Sequence, residues 1–100
     1  MKNLAKLKKI KEELRNSEQF LKERFLVKKI GIFGSYSRGE QRKRSDIDIL
    51  VEFLEEPSFF KFIDLENYLT ELLKIKVDLV MKDSLKPNIG KHILEEVIYL

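Results

Sequence analysis

Two aspartates stand two residues apart in a stretch that otherwise reads as a buried strand, "SDIDILVEF" at residues 45–53. Strand side chains alternate between faces, so Asp46 and Asp48 share one face while Ile47, Ile49, Val51 and Phe53 share the other. Leu50 continues the aspartate face, which is therefore not a plain solvent face. Aspartate is depleted in strands, two carboxylates that close repel each other, and any burial adds a desolvation cost. A chain that keeps this pattern must fold so that something repays the two charges.

The rest of the chain supplies a small frame around that strand. Leu4, Leu7, Ile10 and Leu14 recur at spacings of three and four, which predicts a helix running to about Arg24 with a break at Asn16-Ser17. "VKKIGIF" reads as a buried strand ending at Gly34, and the aspartate strand closes at Pro57. Ser58 reads as the N-cap of a helix over 59–74. "KVDLVM" is a third strand, and a last helix is expected from about 88 to the C-terminus. The order α-β-β-α-β-α predicts one α/β (α+β) domain over residues 1–100, a small mixed sheet with helices packed over one face. The strand-to-strand connection of about a dozen residues leaves the first pair parallel or antiparallel.

Composition excludes several function classes. One hundred residues leave room for one core. There is no cysteine, so neither disulfides nor a thiolate metal site is available, and the single histidine, His92, cannot build a histidine-type zinc site alone. His92 is assigned no role. No apolar run approaches a membrane span and the N-terminus has no signal-like apolar core, so a soluble, cytoplasmic protein with no membrane partner is expected. The net charge of +3 is uneven. Residues 1–50 carry 14 basic and 7 acidic side chains, and residues 51–100 carry 6 and 10. The basic half either attracts a polyanion or is a solvated Lys/Glu surface.

Between the first two strands lies "GSYSRGEQRKR". Gly34 and Gly39 have the spacing of a P-loop, but Glu40-Gln41 stand where Lys and Ser/Thr are needed, and no G-x-G-x-x-G is present. What remains is Gly-Ser at a strand end. Gly34 lets a ligand approach the backbone, and Ser35 offers a hydroxyl beside N–H groups that suit an anion. The alternative is an ordinary turn. Asp46 and Asp48 on the next strand favour the first reading, because a divalent cation between them removes both the repulsion and the burial cost. Asp78, flanked by Val77 and Leu79, joins the same cluster if the third strand lies beside the second; otherwise it is an edge-strand residue facing water. Three carboxylates can hold two metals of the kind that clamp phosphoryl and nucleotidyl transfer.

Together "GSYSRG", "SDIDILV" and "VDLV" resemble the minimal nucleotidyltransferases of the DNA polymerase β-like superfamily, the antitoxin type included. The resemblance covers nearly the whole chain and shows no departure at Gly34, Ser35, Asp46, Asp48 or Asp78. It implies that Gly34 and Ser35 hold the triphosphate of ATP, and that Asp46 and Asp48 bind two Mg2+ ions. Asp78 would ligate the metal that activates the acceptor hydroxyl and help take its proton. Arg38 either neutralises phosphate charge or is solvated, and the same choice stands for Arg42, Lys43 and Arg44. The resemblance further implies a hetero-oligomer with a HEPN ribonuclease toxin, silenced by transfer of AMP to one of its tyrosines.

Two rival functions stay open. One is a non-catalytic antitoxin or binding module with a vestigial nucleotide site. The other is nucleotidyl transfer to RNA, or nucleic-acid binding through the basic half, although the N-terminal basic run has no interleaved aromatic before Phe20. Tyr36 either stacks on a base or packs beside the sheet. Val97, Ile98 and Leu100 either contact a partner or pack back onto the domain.

Overall fold

The computed structural model describes residues 2–100, with side chains described from residue 5 onward. Helices α1 (Lys2–Asn16) and α2 (Glu18–Phe25) are split at Ser17, where the sequence predicts the break. Strand β1 (Val27–Phe33) is followed by the one-turn helix α3 (Ser35–Arg38), then β2 (Ile47–Phe53), α4 (Phe59–Leu73), β3 (Val77–Met81), a 3₁₀ turn (Lys82–Ser84), α5 (Pro87–Glu96) and β4 (Ile98–Tyr99). The side chain of Leu4, first of the four residues in the predicted stripe, lies outside the described residues.

The four strands form one mixed sheet in the order β3-β2-β1-β4. β1 pairs antiparallel with β2 and with β4, whereas β2 and β3 run parallel, joined through α4. Ile30, Ile32, Ile47, Ile49, Val51, Val77 and Leu79 fill one sheet face and meet Leu7, Ile10 and Leu14 of α1, Leu21 and Phe25 of α2, and Leu65, Leu69 and Leu73 of α4 in a single apolar core. The period-two strands and the period-3.6 helices thus bury the residues their patterns select.

α4 begins where its sequence says it should. The Ser58 side chain accepts from the Lys61 N–H at 3.2 Å and satisfies one of the donors a helix start leaves unpaired. It ends at Lys74, whose φ of 57° is left-handed, with its N–H on the Thr70 carbonyl. α4 also protects β3, an edge strand. Glu66 Oε2 accepts from the Leu79 N–H at 3.0 Å and Thr70 Oγ1 from the Val77 N–H at 3.1 Å, which covers N–H groups that would otherwise invite another strand.

The C-terminus differs from expectation. The predicted final helix stops at Glu96, Val97 is extended, and Ile98-Tyr99 add β4 to the sheet. Gly31 makes this possible: a Cβ there would lie 2.6 Å from Val97 Cγ2, so only glycine lets the chain pass so close. Ile98 and Leu100 pack against the core, and the Leu100 N–H donates to the Ile30 carbonyl at 3.1 Å. These residues stabilise the domain itself.

The helices also do not all share one face. α5 connects one edge strand to the other and so crosses the sheet, and none of its residues belongs to the core of α1, α2 and α4. Its C-terminal end lies on the aspartate face, because Val97 meets Gly31, which is registered with Leu50. Among the described residues no helix is long and apolar enough to cross a membrane.

Candidate active site

The register of the sheet assembles the site. Phe33, the last residue of β1, stands opposite Asp48, and Asp48 stands opposite Asp78 on β3. Gly34 follows Phe33 directly, so the Gly-Ser turn, Asp48 and Asp78 are neighbours across three strands although they span 45 residues of sequence. Asp46 is placed just ahead of β2 by two local devices. The Ile47 N–H donates to the Lys76 carbonyl at 2.9 Å, which ties the start of β2 to the start of β3. A tight turn over Arg42–Ser45, closed by Arg42 N–H to Ser45 Oγ at 2.7 Å and Ser45 N–H to the Arg42 carbonyl at 3.0 Å, delivers the chain to that point.

The turn itself is built around glycine. Gly34 has φ of 73°, a conformation that L side chains adopt rarely. A Cβ on it would overlap Asp48 Oδ2, so the carboxylate fills the space a side chain would need. Gly34 carries its conformation into α3: its carbonyl accepts from Ser37 Oγ at 2.8 Å and from the Ser37 N–H at 3.1 Å. Ser35 opens α3 and is half-buried at the same strand end as Asp48.

Electrostatically the site is under-compensated. Burial, the charges of Asp78 and Asp46, and a side-chain hydrogen bond with Asp78 push Asp48 up to about 6, with only Arg38 acting the other way. A carboxylate that resists ionisation because it is partly buried with two others nearby is a donor suited to a hard cation. Among the described residues no three such groups already converge as a preformed metal-binding cluster. Asp46 and Asp78 are solvent-exposed, while Asp48 between them is half-buried. The hard oxygen donors and the unrelieved charge fit a divalent ion such as Mg2+.

Arg38 is paired within the fold. Its Nε donates to Glu40 Oε1 at 2.6 Å and its Nη1 to Glu96 Oε2 at 2.9 Å, and these two carboxylates hold its guanidinium charge on. Glu96 escapes a sequence reading, since it lies 58 residues from Arg38 and 62 from Gly34, whose N–H it also accepts at 3.0 Å. The one local sign is a carboxylate at a helix C-terminus, against the helix dipole. Arg42, Lys43 and Arg44 are exposed on their turn, and His92 is exposed on α5. Tyr36 is 1% exposed in the core with its hydroxyl unpaired, so it packs inward and does not stack on a base.

The sequence model of the nucleotidyltransferase domain family matches residues 6–100. The chain belongs to that family. It is a nucleotidyltransferase, an enzyme whose substrate is a nucleotide. The chain is 54% identical over 94 residues to protein adenylyltransferase MntA of Thermococcus cleftensis, covering 94% of this chain and 95% of that one. Its fold superposes on the solved structure of a protein described as a minimal nucleotidyltransferase with a TM-score of 0.79 at 33% identity, over 94% of this chain and 95% of the other. A toxin–antitoxin structure with AMP-PNP is similar too, with a TM-score of 0.70 at 28% identity over 81% of this chain and 66% of that one.

Proposed function

We propose that this nucleotidyltransferase moves AMP from ATP onto a tyrosine hydroxyl of a partner HEPN ribonuclease toxin, and so acts as its antitoxin. The observation that carries the reading is Asp48, set beside Gly34 and opposite Asp78, where burial and the charges of Asp78 and Asp46 push its carboxyl up to about 6. Similarity to a protein adenylyltransferase and to a toxin–antitoxin structure with an ATP analogue supports the choice of AMP and of a protein acceptor.

Gly34 and Ser35 hold the triphosphate against the strand end, where the missing Cβ leaves room for close approach. Asp46, Asp48 and Asp78 are the residues that would hold two Mg2+ ions, with Asp78 serving the one nearer the acceptor. When bound, the ions supply Lewis-acid polarisation of the α-phosphate and neutralise charge on the leaving oxygens. The acceptor oxygen attacks the α-phosphorus, the bond from that phosphorus to the β-phosphate oxygen breaks, and pyrophosphate leaves with the bonding pair. Asp78, exposed on the solvent side, helps take the hydroxyl proton.

The test incubates the protein with Mg2+ and ATP labelled at the α-phosphate, together with the product of the neighbouring gene. Label is expected on that polypeptide, with its ribonuclease activity lost in parallel, and neither effect with Asp46→Asn. Label on RNA would keep the chemistry and overturn the acceptor. Inhibition without label, retained by Asp46→Asn, would make the protein a binding module.

A further inference from the structure

Glu96 is the last residue of α5, where the helix dipole disfavours an anion. It nevertheless turns both carboxylate oxygens inward, onto two parts of one turn. Oε1 accepts from the Gly34 N–H at 3.0 Å and Oε2 from Arg38 Nη1 at 2.9 Å. The Glu96 side chain is only 28% exposed, and its backbone is pinned by the next residue, Val97, seated on Gly31. A rigid point of the sheet thus fixes a carboxylate that in turn fixes the start and the end of the Gly34–Arg38 turn.

We propose that Glu96 is a positioning residue of the nucleotide site, setting the Gly34 peptide with one oxygen and Arg38 with the other before the triphosphate arrives. This rests on the nucleotidyl-transfer reading of the same site. Without Glu96 the Gly34 N–H loses its acceptor and, of its two ion pairs, Arg38 keeps the one to Glu40, a neighbour two residues away on the same loop. The guanidinium is then free to follow that loop, and ordering it falls to nucleotide binding, which weakens affinity. The sign of the effect distinguishes this from a carboxylate that merely blocks the site, whose removal would tighten binding.

The experiment measures the ATP KM of transfer and, separately, MgATP affinity by calorimetry without acceptor. Glu96→Ala is expected to raise KM and Kd about tenfold, the loss of one charge-assisted hydrogen-bond pair, with kcat within about threefold. Glu96→Gln keeps an oxygen for the Gly34 N–H but turns its amide NH2, a donor, toward Arg38 Nη1. The Arg38 hydrogen bond is lost with the charge, and both constants are expected to rise about threefold. In an Arg38→Ala background Glu96→Gln should change them less than about 1.5-fold, because its route is gone. A lowered melting temperature with unchanged KM and Kd, tighter binding on truncation, or an undiminished effect without Arg38 would each overturn the proposal. A wild-type protein that neither binds nor transfers would overturn the nucleotide-site reading and this proposal with it. A wild type that does both, with Glu96→Ala its equal, overturns this proposal alone.

Discussion

On β2, Ile47, Ile49 and Val51 point to one face of the sheet, and Asp48 and Leu50 to the other. The first three are fully buried against three helices, each sitting where an apolar side chain loses the most contact with water. Their alternate neighbours meet a different world. Leu50 is buried, but Asp48 faces Asp78 across the parallel ladder and Phe33 across the antiparallel one, with its carboxylate against Gly34 and its ionisation opposed. A strand read in steps of two can anchor a core and hold a charged site at once. The stability drawn from one face offsets the repulsion kept on the other, which is a common arrangement where function requires unfavourable local electrostatics.

The widest gap between the faces is expected from Asp48→Asn and Asp46→Asn. Each should lower nucleotidyl transfer at least a thousandfold, about 4 kcal/mol of transition-state stabilisation, while the Asp48 variant melts no lower than wild type. Transfer assays beside calorimetric scans check this; a large loss of stability in Asp48→Asn would break the comparison. On the opposite face Ile49→Ala should cost about 3 kcal/mol in urea unfolding, with transfer per folded molecule changed little.

Gly34→Ala acts on both. Its positive φ and the overlap with Asp48 should cost about 1–2 kcal/mol of stability and displace the carboxylate, lowering transfer about a hundredfold. Unfolding and kinetics on the same sample separate the two losses. The pH dependence is smaller. Because Asp48 sits at about 6 when folded and near its ordinary 3.8 when unfolded, the unfolded chain releases this proton first as pH rises. In EDTA the contribution to stability is present below about pH 4 and lost by about pH 7, a change on the order of 1 kcal/mol after discounting for solvent around a half-exposed group. Asp48→Asn should flatten that slope, and Mg2+ should reverse it. Lys74→Gly, which relieves a left-handed lysine at the end of α4, should add about 0.5 kcal/mol and leave transfer untouched.

Gly34, Asp46 and Asp48 were legible because each announces itself within a few residues: a glycine where an apolar run breaks, and a period-two pattern carrying the wrong residue type. α4 was legible from Ser58 and its apolar spacing, and the break at Ser17 from the polar pair interrupting the N-terminal stripe. The end of α5 was not, because Pro87–Glu96 and the apolar Val97–Leu100 form a continuous helical-looking pattern. Their pairing with β1, for which Gly31, 66 residues before Val97, leaves the room, is a tertiary contact that no local pattern announces. Tyr36 was ambiguous because its turn contains no periodicity to say which way it faces.

Sequence by itself therefore determined most of the elements, though not β4, and which residue types each presents, since propensity, capping and alternation are settled by neighbours along the chain. Tertiary structure alone decided that β3 runs parallel beside β2, which sets Asp78, though still exposed, opposite Asp48. It also brought Glu96 to Gly34 and Arg38. Such pairings depend on which distant segment reaches which edge of the sheet, a choice made by burial of the whole core and written in no single stretch of residues.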